Sequence, residues 1–153
     1  MNLNKRNHKY DWKLFLRQAQ KWLDEMDNDV DETLVRCGIS RAYYAAFHVC
    51  KQYLNSIGMS GDIVGEGSHK EVIEDFRRLG DARKNKECKK ISEDLKRLKQ
   101  SRVVADYKDC ISSSYDASAK SMKGELEKSV LVADKLMKLV RKLQVEIEHF
   151  SNQ

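Results

Sequence analysis

The chain has 153 residues, of which 35% are charged and 41% hydrophobic, and its net charge is +5. This length allows one domain with a real core, and the short apolar runs exclude a membrane-spanning helix. The opening residues, MNLNKRNHKYDW, lack the apolar stretch of a secretory signal, so we expect a cytoplasmic protein. There is no proline and there are only 7 glycines, which with long amphipathic runs predicts an all-α fold.

The cysteines show no metal-ligand or paired spacing. No two of them form a CxxC arrangement, which is typical of structural zinc sites and of redox pairs. We therefore expect free thiols in a reducing compartment rather than disulfides or a zinc site. The four residues are Cys37, Cys50, Cys88 and Cys110.

The first predicted helix follows a polar N-terminus, residues 1–10, that we expect to be flexible. Asp11 begins this helix, and an apolar stripe at helical spacing runs from Trp12 to Met26. An acidic turn then leads into the next helix, and a turn this tight favours antiparallel neighbours. Residues 11–150 are predicted to form a single helical domain.

The central predicted helix covers residues 31–58. Asp31 is suited to the N-cap and Gly58 to the position after the C-terminus. Small residues occupy much of the middle of this stretch, and small side chains let neighbouring helices approach closely. The sequence therefore predicts a central helix with partners on more than one side.

Three more helices are predicted in the second half. The glycine-rich stretch before them fits no phosphate-binding motif. Ser68 and Glu71 have the spacing of a capping box, and Gly80 is expected to end the helix that they begin. The last two helices are predicted over residues 87–110 and 116–150. Together the elements predict an all-α, antiparallel bundle of four to five helices.

Positive charge is concentrated between Arg77 and Lys108. This segment has 12 Lys/Arg against 5 Asp/Glu, a net charge of +7. Such a region is an electrostatic footprint for polyanions such as RNA, and a solvated helix face is the alternative interpretation. The candidate nucleic-acid-binding residues are Lys96, Arg97, Lys99 and Arg102.

Three short clusters could carry chemistry. On the fourth helix, Arg102, Asp106 and Tyr107 share one side, which could equally be an ion pair beside a packed tyrosine. On the central helix, Arg41 and His48 are seven positions apart and therefore share one face. This face could equally be part of the core, with His48 buried in it. The third cluster contains His69 and could be only a helix cap. Neither inner histidine has a sequence-adjacent ligand partner, so we expect no metal or other cofactor.

These clusters together resemble the HEPN domain family, named for higher eukaryotes and prokaryotes nucleotide-binding. The matching segments are SRAYYAAFHVCKQYLNSIG, SHKEVIEDF and LKRLKQSRVVADY, within residues 31–140. The resemblance implies a helical bundle that forms a homodimer, in a prokaryotic toxin–antitoxin or phage-defence context. It also implies a possible nucleotidyltransferase partner and, in many members, metal-independent ribonuclease activity in a basic cleft between the two subunits.

The active motif of the family is an arginine and a histidine separated by four to six residues. Arg102 matches the arginine, but Tyr107 occupies the position where the shortest spacing would place the histidine. Neutral tyrosine has a pKa of about 10 and is a poor base near neutral pH. Arg41 and His48 have a similar spacing on a different helix, so they remain minor candidates together with His69.

Three functions remain open from the sequence. The first is binding of RNA or nucleotide in a basic dimer cleft without the usual Arg/His pair. The second is metal-independent endoribonuclease activity, with Arg102 stabilising the transition state and Asp106, Tyr107 or an inner histidine moving protons. The third is a protein-interaction subunit of a nucleotidyltransferase or defence effector, in which Tyr107 would be modified by its partner.

Overall fold

The computed structural model describes residues 9–27, 29–59, 67–109 and 119–151. In these ranges the chain forms a bundle of five helices and no strand, which confirms the predicted all-α fold. None of the described helices has the length and apolarity needed to span a membrane. The predicted flexible N-terminus lies outside the described residues except for Lys9 and Tyr10. The helices are α1 (Lys13–Glu25), α2 (Glu32–Ser56), α3 (Ser68–Ala82), α4 (Lys86–Tyr107) and α5 (Ala119–Ser151).

Helix α2 is the centre of the bundle and packs against all four other helices. Asp31 caps its N-terminus by accepting hydrogen bonds from the backbone N–H groups of Thr33 and Leu34. Gly58 follows its last turn with a φ of +77°, as a C-terminal glycine should. A Cβ at Gly38 would lie 2.6 Å from Leu126 Cδ1, so this glycine allows α5 to approach α2 closely.

The core lies around α2 and is mostly aliphatic, with a few large aromatic side chains. Its largest fully buried members come from α2, α3, α4 and α5, so residues far apart in sequence share one core. These members are Tyr43, Tyr53, Phe76, Ile39, Leu54, Ile91, Leu95, Leu126, Leu136, Val35, Val140 and Cys50.

The capping box predicted at the start of α3 and the helix end predicted at Gly80 were both wrong. Gly67, with a φ of +97°, is the N-cap, so the helix begins at Ser68 and no side-chain capping bond forms. Gly80 lies inside the helix, where a Cβ would meet Lys89 Cγ at 2.7 Å. Its role is therefore a close approach between α3 and the start of α4, whose N-cap is Asn85.

Candidate functional site

Side chains from α2, α3 and α4 meet at one end of the core and bring together residues far apart in sequence. We call Tyr43, Tyr44, His48, His69 and Arg102 the arginine–histidine cluster. The two tyrosines and His48 come from α2, His69 from the first turn of α3, and Arg102 from α4. The cluster therefore unites all three sequence-predicted motifs.

Arg102 is buried among aromatic rings, with 9% of its surface exposed. Its guanidinium carbon lies 5.4, 5.7 and 5.9 Å from the ring centroids of Tyr43, Tyr44 and Tyr107. Its Nη1 lies 3.5 Å from Asp106 Oδ2, while Nε is buried and has no hydrogen-bond partner among the described residues. A buried guanidinium needs partners, so this cation retains unused capacity to donate hydrogen bonds.

His69 is held by a hydrogen bond of 2.5 Å between its Nδ1 and the hydroxyl of Tyr43. Its ring also lies against Phe47, with 4.3 Å between centroids. Burial lowers the pKa of His69, and the positive charges of Arg102 and Lys99 lower it further. The imidazole is therefore neutral near pH 7, and its tautomer determines whether Nε2 donates a hydrogen bond or has a free lone pair.

The pKa of Tyr43 is raised, mainly by burial, so its hydroxyl stays protonated. A protonated hydroxyl can donate to Nδ1 of His69 or accept from it, so both neutral tautomers of the imidazole are compatible with this bond. Tyr43 thus contacts His69 through its hydroxyl and Arg102 through its ring. It acts as the bridge between the two groups.

His48 forms the far side of the cluster and stacks on Trp12 of the segment before α1. The two ring centroids are 3.5 Å apart and the planes differ by 10°. Burial lowers the pKa of His48 to about 4, and the charges of Lys51 and His69 contribute to the same shift. Arg41 lies outside the cluster, where its guanidinium carbon is 4.4 Å from the Phe15 ring centroid.

The structure divides the basic segment into two groups of cations. Half of its 12 Lys/Arg form ion pairs within 4.0 Å, so most of their charge is locally balanced. The paired residues are Arg77, Arg78, Lys89, Lys90, Arg97 and Arg102.

Three lysines without an ion pair to any described residue line one groove between α3 and α4. We call this the lysine groove; Lys70, Lys96 and Lys99 lie at its rim, and its volume is about 470 Å³. The rest of its lining is mostly apolar and includes Val103 and Val104, together with one carboxylate, Glu74, which pairs with Arg77. Arg97 is not among its lining residues and pairs instead with buried Asp94 at 3.9 Å. Of the predicted nucleic-acid-binding residues, Lys96 and Lys99 therefore share this surface.

Tyr107 and Asp106 lie at the exposed end of α4, and Tyr107 is 72% exposed. Arg36 of α2 holds this end through hydrogen bonds from Nη1 to the carbonyl oxygens of Ala105 and Lys108, at 2.8 and 2.7 Å. It fixes the last turn that carries both candidate side chains.

Sequence reasoning had not assigned a site role to Arg36, Tyr43 or Trp12. A polar-tipped tyrosine on an otherwise apolar helix face was the available signal for Tyr43, because a buried hydroxyl needs a partner. Nothing in the local pattern identified the partners of Arg36, which are backbone carbonyls about 70 positions further along the chain.

A five-helix bundle that brings an arginine and two histidines to one end of its core defines a class of small helical proteins. The chain matches the family model of the HEPN domain over residues 12–143, and it belongs to that family. Membership gives it a general role among nucleotide- or RNA-related, toxin and defence functions, and HEPN domains commonly dimerise. No curated protein matches the chain significantly in sequence.

Proposed function

We propose that this HEPN protein binds RNA through its phosphates at the arginine–histidine cluster and the adjoining lysine groove. The observation that carries the proposal is the geometry around Tyr43, which lies against buried Arg102 through its ring and bonds His69 through its hydroxyl, while Nε of Arg102 has no hydrogen-bond partner among the described residues. Burial lowers the pKa of His69, and the positive charges of Arg102, Lys99 and Lys51 lower it further. When the Tyr43 hydroxyl donates to Nδ1 of His69, the Nε2–H group of this neutral imidazole can donate to a phosphate oxygen in a region of positive potential.

The lysine groove extends this anion-binding site along α3 and α4. Lys99 belongs to both regions, since it acts on His69 and lines the groove. The apolar part of its lining offers a surface for the sugar and base edges, while the rim lysines face the backbone charge. In a homodimer, two such grooves brought side by side would form the basic cleft that the family resemblance implies.

A second candidate function is metal-independent RNA cleavage, and the bridging position of Tyr43 favours it. His69 would take the proton from a ribose 2′-hydroxyl, and that oxygen would attack the adjacent phosphorus as the bond to the 5′-oxygen breaks. The protonated imidazole would then return its proton to the leaving oxygen. Arg102 would stabilise the charge that develops on the phosphate, so His69 would supply the histidine that α4 lacks.

Binding is tested with a fluorescent single-stranded RNA and anisotropy at several salt concentrations. We expect Lys99→Ala to weaken binding and to reduce the salt slope by about 0.7, the value for one phosphate contact on a single strand. Arg97→Ala is the matched control, because it removes the same charge from the same helix outside the groove. Equal effects of the two variants would contradict the proposal.

Cleavage is tested with the same RNA in the presence and absence of EDTA. We expect wild-type cleavage to survive EDTA and to fall by about a hundredfold or more in His69→Gln and in Arg102→Lys. Binding without cleavage would support RNA binding as the function and would contradict the proposed RNA cleavage. Full activity in His69→Gln would remove His69 from the reaction.

We propose that the protein acts in the cytoplasm of a prokaryote, in a toxin–antitoxin or phage-defence system. Copurification with the product of a neighbouring nucleotidyltransferase gene would support this context. The exposed hydroxyl of Tyr107 would then be the group to examine by mass spectrometry for an added nucleotide.

A further inference from the structure

A series of ring contacts leads away from the arginine–histidine cluster towards α1. Tyr44 lies between Arg102 and His48, with a centroid separation of 6.2 Å to the latter. His48 stacks on Trp12, and Trp12 meets Phe15 edge to face at 5.0 Å. The contacts form a continuous aromatic connection across three elements of the bundle.

This series ends in a groove between α1 and α2, with a volume of about 540 Å³. We call it the aromatic groove. Tyr10, Phe15 and Trp22 line it together with three cations. No carboxylate is among its described lining residues, which makes its charge wholly positive. The cations are Arg17, Lys21 and Arg41.

The cations of this groove remain available to a ligand. Arg41 is exposed, stacks over Phe15, and forms no ion pair with a described residue. Lys21 has one partner, Glu25, at 3.9 Å, and both of these side chains are more than half exposed. Exposed pairs of this kind contribute little and exchange readily for a new partner.

One exposed ring, that of Tyr10, lies among these cations, and the rings of Phe15 and Trp22 are half-buried. Tyr10 is 43% exposed, and Tyr10 meets Trp12 and Phe15 edge to face at 4.9 and 5.7 Å. Rings interleaved with basic side chains are the combination that binds single-stranded nucleic acid, because unpaired bases stack while cations contact phosphates. A duplex keeps its bases paired and cannot use such rings.

The chain has a second α1 groove that serves as an internal comparison. It lies between α1 and α5, with a volume of about 580 Å³, and its lining includes the carboxylates Glu127 and Asp134. It contains no aromatic ring among its described lining residues. The two grooves on α1 are therefore similar in size, but only the aromatic groove combines rings with cations and lacks carboxylates among its described lining residues, as binding of single-stranded RNA would require.

We infer that the aromatic groove is a second nucleic-acid subsite, which holds the nucleotides flanking the phosphate bound at the arginine–histidine cluster. This inference rests on the proposed function, since it concerns the same RNA strand. Arg41 and His48 are separated by seven residues, about 10 Å along α2, so one strand can reach both. Bases would stack on Tyr10, and the backbone would follow Arg41 and Arg17.

The experiment compares the affinities of oligouridines of about four and about twelve nucleotides for the full chain. We expect wild type to bind the longer strand about tenfold more tightly, because the extra nucleotides reach the aromatic groove. In Lys21→Ala/Arg41→Ala, and separately in Tyr10→Ala, we expect that ratio to fall to about twofold, and none of these three residues lines the α1–α5 groove. These side chains are at the surface, and circular dichroism confirms that the variants remain folded.

Arg141→Ala is the matched control, since Arg141 is exposed and lines the α1–α5 groove instead. An unchanged length ratio in the two groove variants, with the short strand still bound, would overturn this inference and leave the proposed function intact. Absence of binding at both lengths would overturn both. A duplex or an acidic peptide that binds the groove as tightly as the long strand would also overturn the assignment to single strands.

Discussion

The two parts of α4 carry the same kind of charge in opposite settings. Arg102 has 9% of its surface exposed and lies among tyrosine rings. The side chain of Arg97, five residues earlier, is 69% exposed and pairs with Asp94. Lys96 is exposed and Lys99 is half-buried, and both line the lysine groove. Charge along a helix therefore does not define a site until burial and partners are known.

This difference separates two physical roles. A buried guanidinium has a fixed direction and a strong local field, because little water screens it. An exposed lysine contributes mainly long-range attraction that salt weakens. We therefore expect the buried end of α4 to determine what is done to a phosphate, and the lysine groove to determine how readily RNA arrives.

The largest expected effect is that of Arg102→Ala. Removing the side chain leaves a void beside Tyr43 and an unpaired Asp106, and we expect the free energy of unfolding to fall by about 2–3 kcal/mol. Urea denaturation followed by circular dichroism measures this change. Arg97→Ala serves as the control and should change stability by no more than about 0.5 kcal/mol. Similar losses in both variants would remove the distinction between the two ends of α4.

Arg36→Ala should have the next largest effect. Its guanidinium donates to the carbonyl oxygens of Ala105, Lys108 and Asp109, and it also pairs with Glu32. Loss of these bonds should destabilise the protein by about 1–2 kcal/mol and loosen the last turn of α4. Hydrogen exchange at residues 105–109 should rise relative to the rest of α4. A uniform increase along the whole helix would contradict a local clamp.

Sequence alone predicted the local features of this region and missed the tertiary ones. The spacing of Arg102 and Asp106 indicated an ion pair, and the structure contains one. The bond between Tyr43 and His69 joins residues 26 positions apart, which no periodicity encodes. The net charge of the basic segment could not show which cations are balanced, because that depends on side-chain geometry.

The helix ends show the same difference between local features, which the sequence predicts, and tertiary features, which it does not. Asp31 and Gly58 were predicted correctly, because capping depends on the residues at the helix end itself. Gly80 was misread as a helix end, because its absent Cβ accommodates Lys89 of the neighbouring helix rather than a change of backbone direction. A glycine needed for close packing cannot be distinguished from a stop signal in a single sequence.

A third prediction concerns pH and sharpens the contrast between buried and exposed groups. The pKa of His48 is about 4 in the folded protein, below its ordinary value of about 6.5. The unfolded chain therefore binds more protons than the folded chain between these pH values. The stabilisation that His48 contributes should be fully present above pH 6.5 and should decline as the pH falls towards 4. The pKa of His69 is lowered as well, so it contributes in the same direction.

Because the His48 ring is only partly buried, we expect it to contribute about 1–2 kcal/mol to this decline. Urea denaturation at pH 5 and at pH 7.5 measures the difference. His48→Gln should show a smaller difference between the two pH values than wild type. An equal or larger pH dependence in the variant would contradict the assignment to His48.

The smallest effect is expected at the rim of the lysine groove. Lys96→Ala should weaken RNA binding by about threefold at low salt and leave stability within about 0.5 kcal/mol of wild type. Anisotropy at about 50 and 200 mM salt checks the difference between the two conditions. An effect that stays constant with salt would mean that Lys96 acts through packing rather than through charge.

The most direct test of the account is the ring resonance of His69 in an NMR titration with a single-stranded oligoribonucleotide. The convergence of Arg102 and Lys99 on this imidazole predicts that its signals shift at sub-stoichiometric RNA and that Lys99→Ala weakens the response. Signals of His69 that remain unchanged while RNA binds to the exposed face of α5 would contradict it.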